Sequence, residues 1–373
     1  MSTDFKKLFL FIVTSLFTIC LTGCAKPIQE VHVEAPCTPS PYVQEKLPEI
    51  TQKGTVVILA TGGTIAGSGN AGEETGYISG VLSIEDLISA VPQIEDCANI
   101  EAIQICNINS DDITSQIWIE LANTINELSA NPNIDGFVIT HGTDTLEETA
   151  YFLNLTVKTD KPVVLTGSMR PATALSADGA MNLYQSVCVA ASEASRGKGV
   201  LVVFSDMIFS ARSVEKVSTY QVTAISADET GCIGIVRNQE VYYYETPVKR
   251  HTTDSEFSVS DLESLPNVSI VYFSVDADPG LLTYAAEHSE GIVIAGAGAG
   301  EFSQEFIEVI NQLDIPVIIS SRTNTGLITQ DSVLCENTVA ANTLSPSKAA
   351  VLLRLALTAN WDHETLLRMY SEY

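Results

Sequence analysis

Two short segments of this chain place threonine hydroxyls and glycines where catalysis could occur. The first is Thr61–Gly67, and the second is His141–Thr149. Each follows an apolar run of strand length, at 55–60 and 134–140. In an open α/β sheet, ligands bind at the carboxyl ends of the strands, so we expect both segments at one site. A threonine hydroxyl there acts as a nucleophile only when a base or a cation assists it.

The first segment is predicted to carry a nucleophile, Thr64, on a mobile loop. Its glycines and those that follow allow unusual backbone angles, and Tyr77 is a candidate hydrogen-bond partner for Thr64. A glycine-rich turn after a first strand could instead cradle a phosphate group. The spacing fits neither G-x-x-x-x-G-K-S/T nor G-x-G-x-x-G, and Glu73 and Glu74 would repel phosphate. A nucleophile on a lid is therefore favoured over a nucleotide site.

The second segment is predicted to begin a helix. Thr145 and Glu148 have the spacing of a capping box, and the free N–H groups of such a helix end would stabilise an oxyanion. Thr143 and Asp144 come directly before that helix. His141 could be a general base, but no serine or cysteine elbow accompanies it. A positional role for His141 is therefore favoured.

A lysine could activate one of the threonines. In a dry site an ammonium group loses its proton more easily, and the neutral amine can then act as a base. Lys216 is the candidate, because lysines are few in this chain and it closes the run Arg212–Lys216. From the residues alone, a lysine on the surface is the simpler interpretation.

The chain from residue 54 onward predicts the elements that hold these segments. Apolar runs of strand length lie at 55–60, 134–140, 162–166, 199–205, 268–274, 291–296 and 315–320. Helical patterns lie at 83–91, 114–129, 146–155, 179–195, 279–287, 303–313 and 346–359. This alternation predicts an α/β fold, with a mainly parallel sheet covered by helices on both faces.

The same pattern divides the chain into two domains. The polar stretch 238–267, which contains Pro247 and Pro266, interrupts the alternation of strands and helices. We therefore expect a larger N-terminal domain with a sheet flanked by helices, and a smaller C-terminal α/β domain. The expected boundaries are 53–243 for the first domain, 244–266 for the linker and 267–373 for the second domain.

The first 52 residues predict targeting rather than fold. Lys6 and Lys7 precede an apolar stretch at 8–21 that is short for a membrane span. The stretch ends in Leu21-Thr22-Gly23-Cys24, which resembles a bacterial lipoprotein signal more than an ordinary signal peptide. The resemblance implies removal of 1–23 and a lipid on Cys24. The proline-rich remainder of 24–52 then reads as a flexible tether that holds an exported protein at the membrane, on the periplasmic or cell-surface side.

Composition excludes several kinds of partner. The net charge of −27 over 373 residues, without any lysine- or arginine-rich run, argues against nucleic acid and against an anionic membrane surface. The cysteines form no C-x-x-C pair, and no histidine has metal-ligand spacing, so no metal site is predicted. A Cys97–Cys106 disulfide outside the cytosol remains open.

The two threonine segments are joined by further motifs. Thr166–Pro171, Ser176–Gly179 and Arg212–Lys216 follow them in order, and Ser320-Ser321-Arg322 lies near the end. Together these motifs resemble the bacterial L-asparaginase/glutaminase family, in its exported branch. The resemblance runs from about residue 54 to the C-terminus.

The resemblance implies a role for each candidate residue. Thr64 matches the primary nucleophile and Tyr77 the lid tyrosine, while Thr143, Asp144 and Lys216 match a second, proton-handling triad. It implies that Thr64 attacks a side-chain amide to form an acyl-enzyme and that ammonia leaves. Water activated near the second triad then releases the acid.

The resemblance also implies how substrate is held. Ser110 would bind the α-carboxylate and Asp144 the α-ammonium group. The residues placed around the substrate are Gly63, Ser110, Asp111, Gly142, Thr143, Asp144, Ser168 and Asp276. Asp111 stands where many exported members have glutamine, and Asp276 lies near the position where a neighbouring subunit completes the site. A glutamate common in the family has no match around Thr329–Val333.

The expected protein is thus an amidohydrolase of L-asparagine, with L-glutamine open as a second substrate, no metal or organic cofactor, and a homotetrameric assembly. A lipid-anchored amino-acid-binding protein without catalysis is the alternative from another class. A subunit that serves tRNA-dependent amidation shares the threonine motifs, but the export signal and acidic charge oppose it. Asp111 also leaves D-amino-acid amides open.

Overall fold

The computed structural model describes residues 53–73, 76–359 and 361–373. The expected signal peptide at 1–23, the lipidated Cys24 and the tether up to residue 52 lie outside these residues. Within the described ranges, no helix is both long and apolar enough to cross a membrane.

A sheet of eight strands forms the larger domain. Two further strands, β7 and β8, form a small separate ladder. Among the described residues, the ten strands of this domain are β1 (Thr55–Gly62), β2 (Asn99–Ile108), β3 (Ile134–Thr140), β4 (Val163–Thr166), β5 (Val200–Phe204), β6 (Met207–Ser210), β7 (Glu215–Lys216), β8 (Ile225–Ser226), β9 (Gly234–Arg237) and β10 (Glu240–Tyr243). The order across the sheet is β10-β9-β6-β5-β4-β3-β1-β2. Strands β2, β1, β3, β4 and β5 run parallel, and β6, β9 and β10 add antiparallel pairs.

Helices cover both faces of this sheet. They are α1 (Ile84–Ala90), α2 (Ile94–Cys97), α3 (Ser115–Ser129), α4 (Leu146–Thr156) and α5 (Gly179–Ala190). Alternate residues of β1 enter different cores, because side chains alternate across a strand. Val57 and Leu59 join the cluster on the α3 and α4 side, whereas Val56 and Ile58 join the cluster on the α1, α2 and α5 side. The continuous apolar runs of the sequence are therefore strands buried on both faces.

The smaller domain has a four-stranded parallel sheet. Its strands are β11 (Val268–Tyr272), β12 (Gly291–Gly296), β13 (Val317–Ser321) and β14 (Thr338–Ala340), paired in chain order. Its helices are α6 (Gly280–His288), α7 (Gln304–Ile310), α8 (Pro346–Ala356) and α9 (His363–Glu372). Helix α8 packs on both β12 and α4, so the two domains share one hydrophobic core.

The predicted elements compare closely with the observed ones. All seven apolar runs contain a strand and all seven helical patterns contain a helix, although the pattern at 179–195 ends at Ala190. Strand β2 escaped prediction because it lies at the sheet edge with mostly exposed, partly polar residues. Strand β10 occupies the start of the polar stretch 238–267, where it pairs with β9.

Candidate active site

A cavity of about 480 Å³ opens at the carboxyl ends of β1, β2 and β3. This is the edge at which parallel strands place their following loops. Its lining residues are Gly63, Thr64, Tyr77, Ile78, Ser79, Asn109, Ser110, Asp111, Gly142, Thr143 and Asp144. The structure thus brings the two threonine segments to one place.

Thr64 follows β1 directly, on a single turn of 3-10 helix at Thr64–Ala66. The turn requires glycine at position 63, where φ is 80° and an added Cβ would lie 2.3 Å from the backbone nitrogen of Gly142. This close approach joins the two segments. Thr64 is 9% exposed, and its Oγ1 lies 2.8 Å from the hydroxyl oxygen of Tyr77.

Glycines allow Tyr77 to reach Thr64. Ser68 and Ile78 exchange backbone hydrogen bonds of 3.0 Å, which folds the chain back over the cavity. A Cβ added at Gly67 would lie 2.9 Å from the Tyr77 ring. The glycine-rich composition of this segment therefore allows one aromatic side chain to pack over Thr64.

The second hydroxyl, Thr143, lies in the loop after β3 and meets a lysine. Lys216 Nζ donates to Thr143 Oγ1 at 2.8 Å and to Asp144 Oδ1 at 2.5 Å. The Lys216 side chain is 16% exposed and that of Asp144 is 66% exposed. Of the two sequence interpretations of Lys216, the structure supports the one that places it beside a threonine.

The predicted capping box at the start of α4 is wrong. Thr145 is the N-cap residue, but its Oγ1 donates to the carbonyl oxygen of Ser110 at 2.7 Å instead of capping the helix. Glu148, the second residue of the predicted box, is half-buried, and this burial raises the pKa of its carboxyl. The Asp144 N–H also donates to Ser110 Oγ, at 3.2 Å. Thr145 and Asp144 therefore fix the loop after β3 against the loop after β2.

His141 is a buried positioning group, as the sequence favoured. It is fully buried, and burial lowers its pKa to about 4. Its Nδ1 lies 2.7 Å from the Gly142 carbonyl oxygen, which can only accept, so Nδ1 carries the proton. Nε2 then accepts from the Thr149 hydroxyl at 2.9 Å, and Thr149 Oγ1 accepts from Trp118 Nε1 at 2.8 Å. This chain of hydrogen bonds fixes the backbone at Gly142, which lines the cavity.

The remaining predicted residues are placed unevenly. Ser110 and Asp111 lie side by side in a 3-10 turn on the cavity wall. Ser168 lies outside the cavity, buried, with its hydroxyl donating to the Arg170 carbonyl at 2.8 Å. Asp276 follows β11 in the smaller domain, with a φ of 57°, and also lies outside the cavity of this one chain.

Three lining residues escaped the sequence analysis: Ile78, Ser79 and Asn109. Their positions in the sequence could have indicated them, because each lies within two residues of Tyr77 or Ser110. Asp111 and Asp144 are the acidic side chains of the lining, so the cavity favours a ligand that carries a cationic group.

Neither a metal-binding group nor a disulfide between Cys97 and Cys106 is found among the residues that the structure describes. In these residues, no three His, Cys, Asp or Glu side chains gather in a group that could hold a metal ion. Cys97 and Cys106 are both free thiols. Cys97 hydrogen-bonds Cys188 of α5, whereas Cys106 donates to the Thr61 carbonyl at 3.4 Å.

Comparison with known proteins gives the family. The model "Asparaginase, N-terminal" matches residues 55–249, and the model "Glutaminase/Asparaginase C-terminal domain" matches residues 267–370. L-asparaginase 2 of Escherichia coli is 43% identical over 326 residues, which cover 85% of this chain and 93% of that protein. A probable periplasmic L-asparaginase of Haemophilus influenzae is 43% identical over 325 residues, with the same two shares.

Solved structures agree with the sequence comparison. The structure of a probable cytoplasmic L-asparaginase from Campylobacter jejuni superposes with a TM-score of 0.82 at 44% identity. The match covers 86% of this chain and all of that one. With both family models matched along most of its length, this chain belongs to the asparaginase/glutaminase family.

Proposed function

We propose that this protein hydrolyses the side-chain amide of L-asparagine, with L-glutamine as a secondary substrate, through an acyl-enzyme on Thr64. One observation carries the proposal: a single cavity holds two threonine hydroxyls, each hydrogen-bonded to a different proton carrier, Tyr77 and Lys216. A binding protein needs neither pair. The names of the relatives support the same reaction.

The reaction divides into two steps. In the first, Thr64 Oγ1 attacks the amide carbon, and its proton is relayed through Tyr77 to the amide nitrogen, which leaves as ammonia. In the second, water attacks the ester, giving one proton back to Thr64 and releasing aspartate. The Thr143 hydroxyl takes up the proton of the water and passes its own proton on toward Thr64. Lys216 Nζ donates to Thr143 Oγ1 throughout, and Asp144 holds Lys216 toward Thr143.

Substrate is held at both of its charged ends. Ser110 binds the α-carboxylate and Asp144 the α-ammonium group, while the adjoining backbone of Gly63 and Gly142 lines the cavity. Asp111 adds a second negative charge beside Ser110, so it either repels the α-carboxylate or changes the contacts that hold it. Ser168 has no part in this scheme because it lies outside the cavity.

The assembly and the location are proposed from the sequence. Asp276 lies away from the cavity of its own chain and would complete the site of a neighbouring subunit in a homotetramer. The lipoprotein signal at 1–23 and the lipid on Cys24 would place the protein outside the cytoplasm, tethered through 24–52. We also propose an N-terminal domain at 53–243, a linker at 244–266 and a C-terminal domain at 267–373. The relatives' names point to both compartments, so this assignment depends on the N-terminal sequence.

Ammonia release tests the reaction. The protein lacking the signal peptide is assayed with L-asparagine, L-glutamine and D-asparagine, beside Thr64→Ala and the matched control Thr64→Ser. We expect L-asparagine to react fastest, Thr64→Ala to be inactive and Thr64→Ser to keep partial activity, because serine retains the hydroxyl. Tight binding of an amino acid without ammonia from any substrate would instead support the lipid-anchored binding protein.

A further inference from the structure

A second lysine, Lys348, lies behind the site and takes no part in the scheme above. It belongs to α8 of the smaller domain and is 1% exposed. Burial lowers the pKa of its ammonium group to about 8, against the opposing pull of Glu147 and Glu215. The positive charge of Arg212 contributes to this lowering. A buried lysine is unusual, so its contacts need an explanation.

The contacts of Lys348 lead to the backbone just before Lys216. Its Nζ donates to the carbonyl oxygen of Arg212 at 2.9 Å and also to that of Val214. Both carbonyls belong to the turn that enters β7, the two-residue strand that carries Lys216. Such a short strand has few hydrogen bonds of its own, so the turn depends on outside partners.

Glu147 holds the same strand from the other side. Its Oε2 accepts the backbone N–H of Lys216 at 2.7 Å, and its Oε1 accepts the hydroxyl of Ser347 at 3.2 Å. Ser347 is the neighbour of Lys348 at the start of α8. The backbone on both sides of Glu215 is thus fixed by groups that α8 supplies or orients.

We propose that Lys348 is a positioning residue, which holds the 212–216 backbone so that Lys216 Nζ reaches Thr143 and Asp144. This inference rests on the proposed function, since it assigns Lys348 a part in the second triad. Lys348 acts only through Lys216, because it lies outside the lining of the cavity. Removing its ammonium would leave the two carbonyls without their donor, and the turn would move to find others.

The test compares Lys348→Met with a matched control, Lys158→Met. Lys158 Nζ also donates to two backbone carbonyls, of Thr252 at 3.4 Å and of Ser255 at 2.6 Å, but these lie away from β7. We expect Lys348→Met to lower kcat for L-asparagine by about 100-fold, the cost of displacing a catalytic group by about 1 Å. KM should change far less, and Lys158→Met should keep the activity of the unmodified protein.

Two further readouts separate positioning from a general structural role. In rapid-mixing experiments, Lys348→Met should still release a full first equivalent of ammonia and then turn over slowly, because acylation uses Thr64 and not Lys216. Lys216→Met and the double variant should have nearly equal rates, because groups that act as a unit are not additive. A reduced first burst, or rate losses that multiply in the double variant, would overturn the proposal.

A second variant covers the case in which Lys348→Met does not fold. Glu147→Gln keeps an oxygen that can accept from the Lys216 backbone N–H, but the hydrogen bond to this uncharged oxygen is weaker. The loss of kcat in Glu147→Gln should also disappear when Lys216→Met is already present. If the unmodified protein releases no ammonia, the proposed function fails together with this inference. If it does, and neither Lys348→Met nor Glu147→Gln slows it, only the positioning role is wrong.

Discussion

Each threonine of the cavity is matched with a different kind of proton carrier. Tyr77 offers Thr64 a hydroxyl that both donates and accepts, and it needs no charge to do so. Lys216 offers Thr143 an ammonium group, whose charge Asp144 balances at 2.5 Å. In the proposed mechanism, the nucleophile Thr64 therefore works beside an uncharged hydroxyl, while the step that consumes water works beside a charge.

Removal of the Tyr77 hydroxyl should slow the first step. Tyr77→Phe keeps the ring that packs on Gly67 but loses the relay to Thr64 Oγ1. We expect kcat to fall by about 100-fold, the usual contribution of one positioned acid or base, with a small change in KM. Single-turnover ammonia release checks this, with Val81→Ala as a control at a nearby position that is 51% exposed and lies outside the cavity lining. An unchanged first turnover would remove Tyr77 from the relay.

His141 should make stability depend on pH. Its pKa is about 4 in the folded protein because it is buried, and about 6.5 when the chain unfolds. The unfolded chain therefore binds the extra proton as the pH falls below 6.5, and up to about 3 kcal/mol of stability is lost by pH 4.

Urea unfolding at pH 7 and at pH 4.5 measures this effect. The stability difference between the two pH values should be smaller in His141→Gln, because glutamine does not titrate and the other groups stay the same. Equal differences in the two proteins would mean that His141 is already charged or solvated in the folded state.

At the scale of elements, loops after neighbouring strands are fixed to one another before any ligand enters. Gly63 touches Gly142, and Thr145 and Asp144 both hydrogen-bond Ser110. The ends of β1, β2 and β3 thus form one rigid wall. We expect substitutions at these contacts to affect both stability and turnover.

Gly63→Ala tests this wall. The added Cβ would lie 2.3 Å from the Gly142 nitrogen, at a φ of 80° and a ψ of −172° that cost a side chain about 1–3 kcal/mol. Gly197→Ala is the matched control, since its φ is 67° but its Cβ would meet nothing within 4 Å. The melting temperature and kcat should both fall clearly more in Gly63→Ala than in Gly197→Ala. Equal losses in the two variants would show that backbone conformation alone matters.

Oxidation should join helices α2 and α5 covalently through Cys97 and Cys188, which are free thiols in the structure. The thiols of Cys97 and Cys188 are hydrogen-bonded, a contact that lowers the pKa of Cys97 and raises that of Cys188. With excess oxidised glutathione, thiolate attack at Cys97 and exchange with Cys188 should give a Cys97–Cys188 disulfide and two reduced glutathione molecules. Peptide mapping without reductant checks this. A link from Cys97 to Cys106 would contradict the structure.

The sequence predicted most of the elements but only part of the site. Strands buried on both faces are legible as continuous apolar runs, whereas β2 is not, because residues such as Glu101 and Gln104 face outward at the sheet edge. Thr64 and Thr143 follow from their strands. Lys216 was a candidate from the residues, but its pairing with Thr143 came from the family resemblance, because the two residues are 73 positions apart in the chain. Lys348 left no signal, because one lysine in an apolar helix reads as a surface residue.

At the scale of the whole molecule, the two domains share one hydrophobic core. The cluster that contains Leu59 of β1 also contains Ile318 of β13 and Leu353 of α8. The site has the same dependence, because α8 holds Lys216 through Lys348 and Glu147. A loss of packing in the smaller domain should therefore destabilise the larger one.

Leu353→Ala tests this coupling with a fluorescent probe in the other domain. In a Trp361→Phe background, Trp118 of α3 is the remaining tryptophan and reports on the larger domain alone. Leu353 is fully buried, so its truncation should cost about 2–5 kcal/mol. The free energy of unfolding measured from Trp118 fluorescence should fall by that amount, so its transition moves to a lower urea concentration. This transition should coincide with the loss of helical circular dichroism, because the shared core unfolds as one unit. Leu327→Ala, at a position 56% exposed in the same domain, should leave the Trp118 transition unchanged. A Trp118 transition that stays in place while circular dichroism shifts would show that the two domains unfold independently.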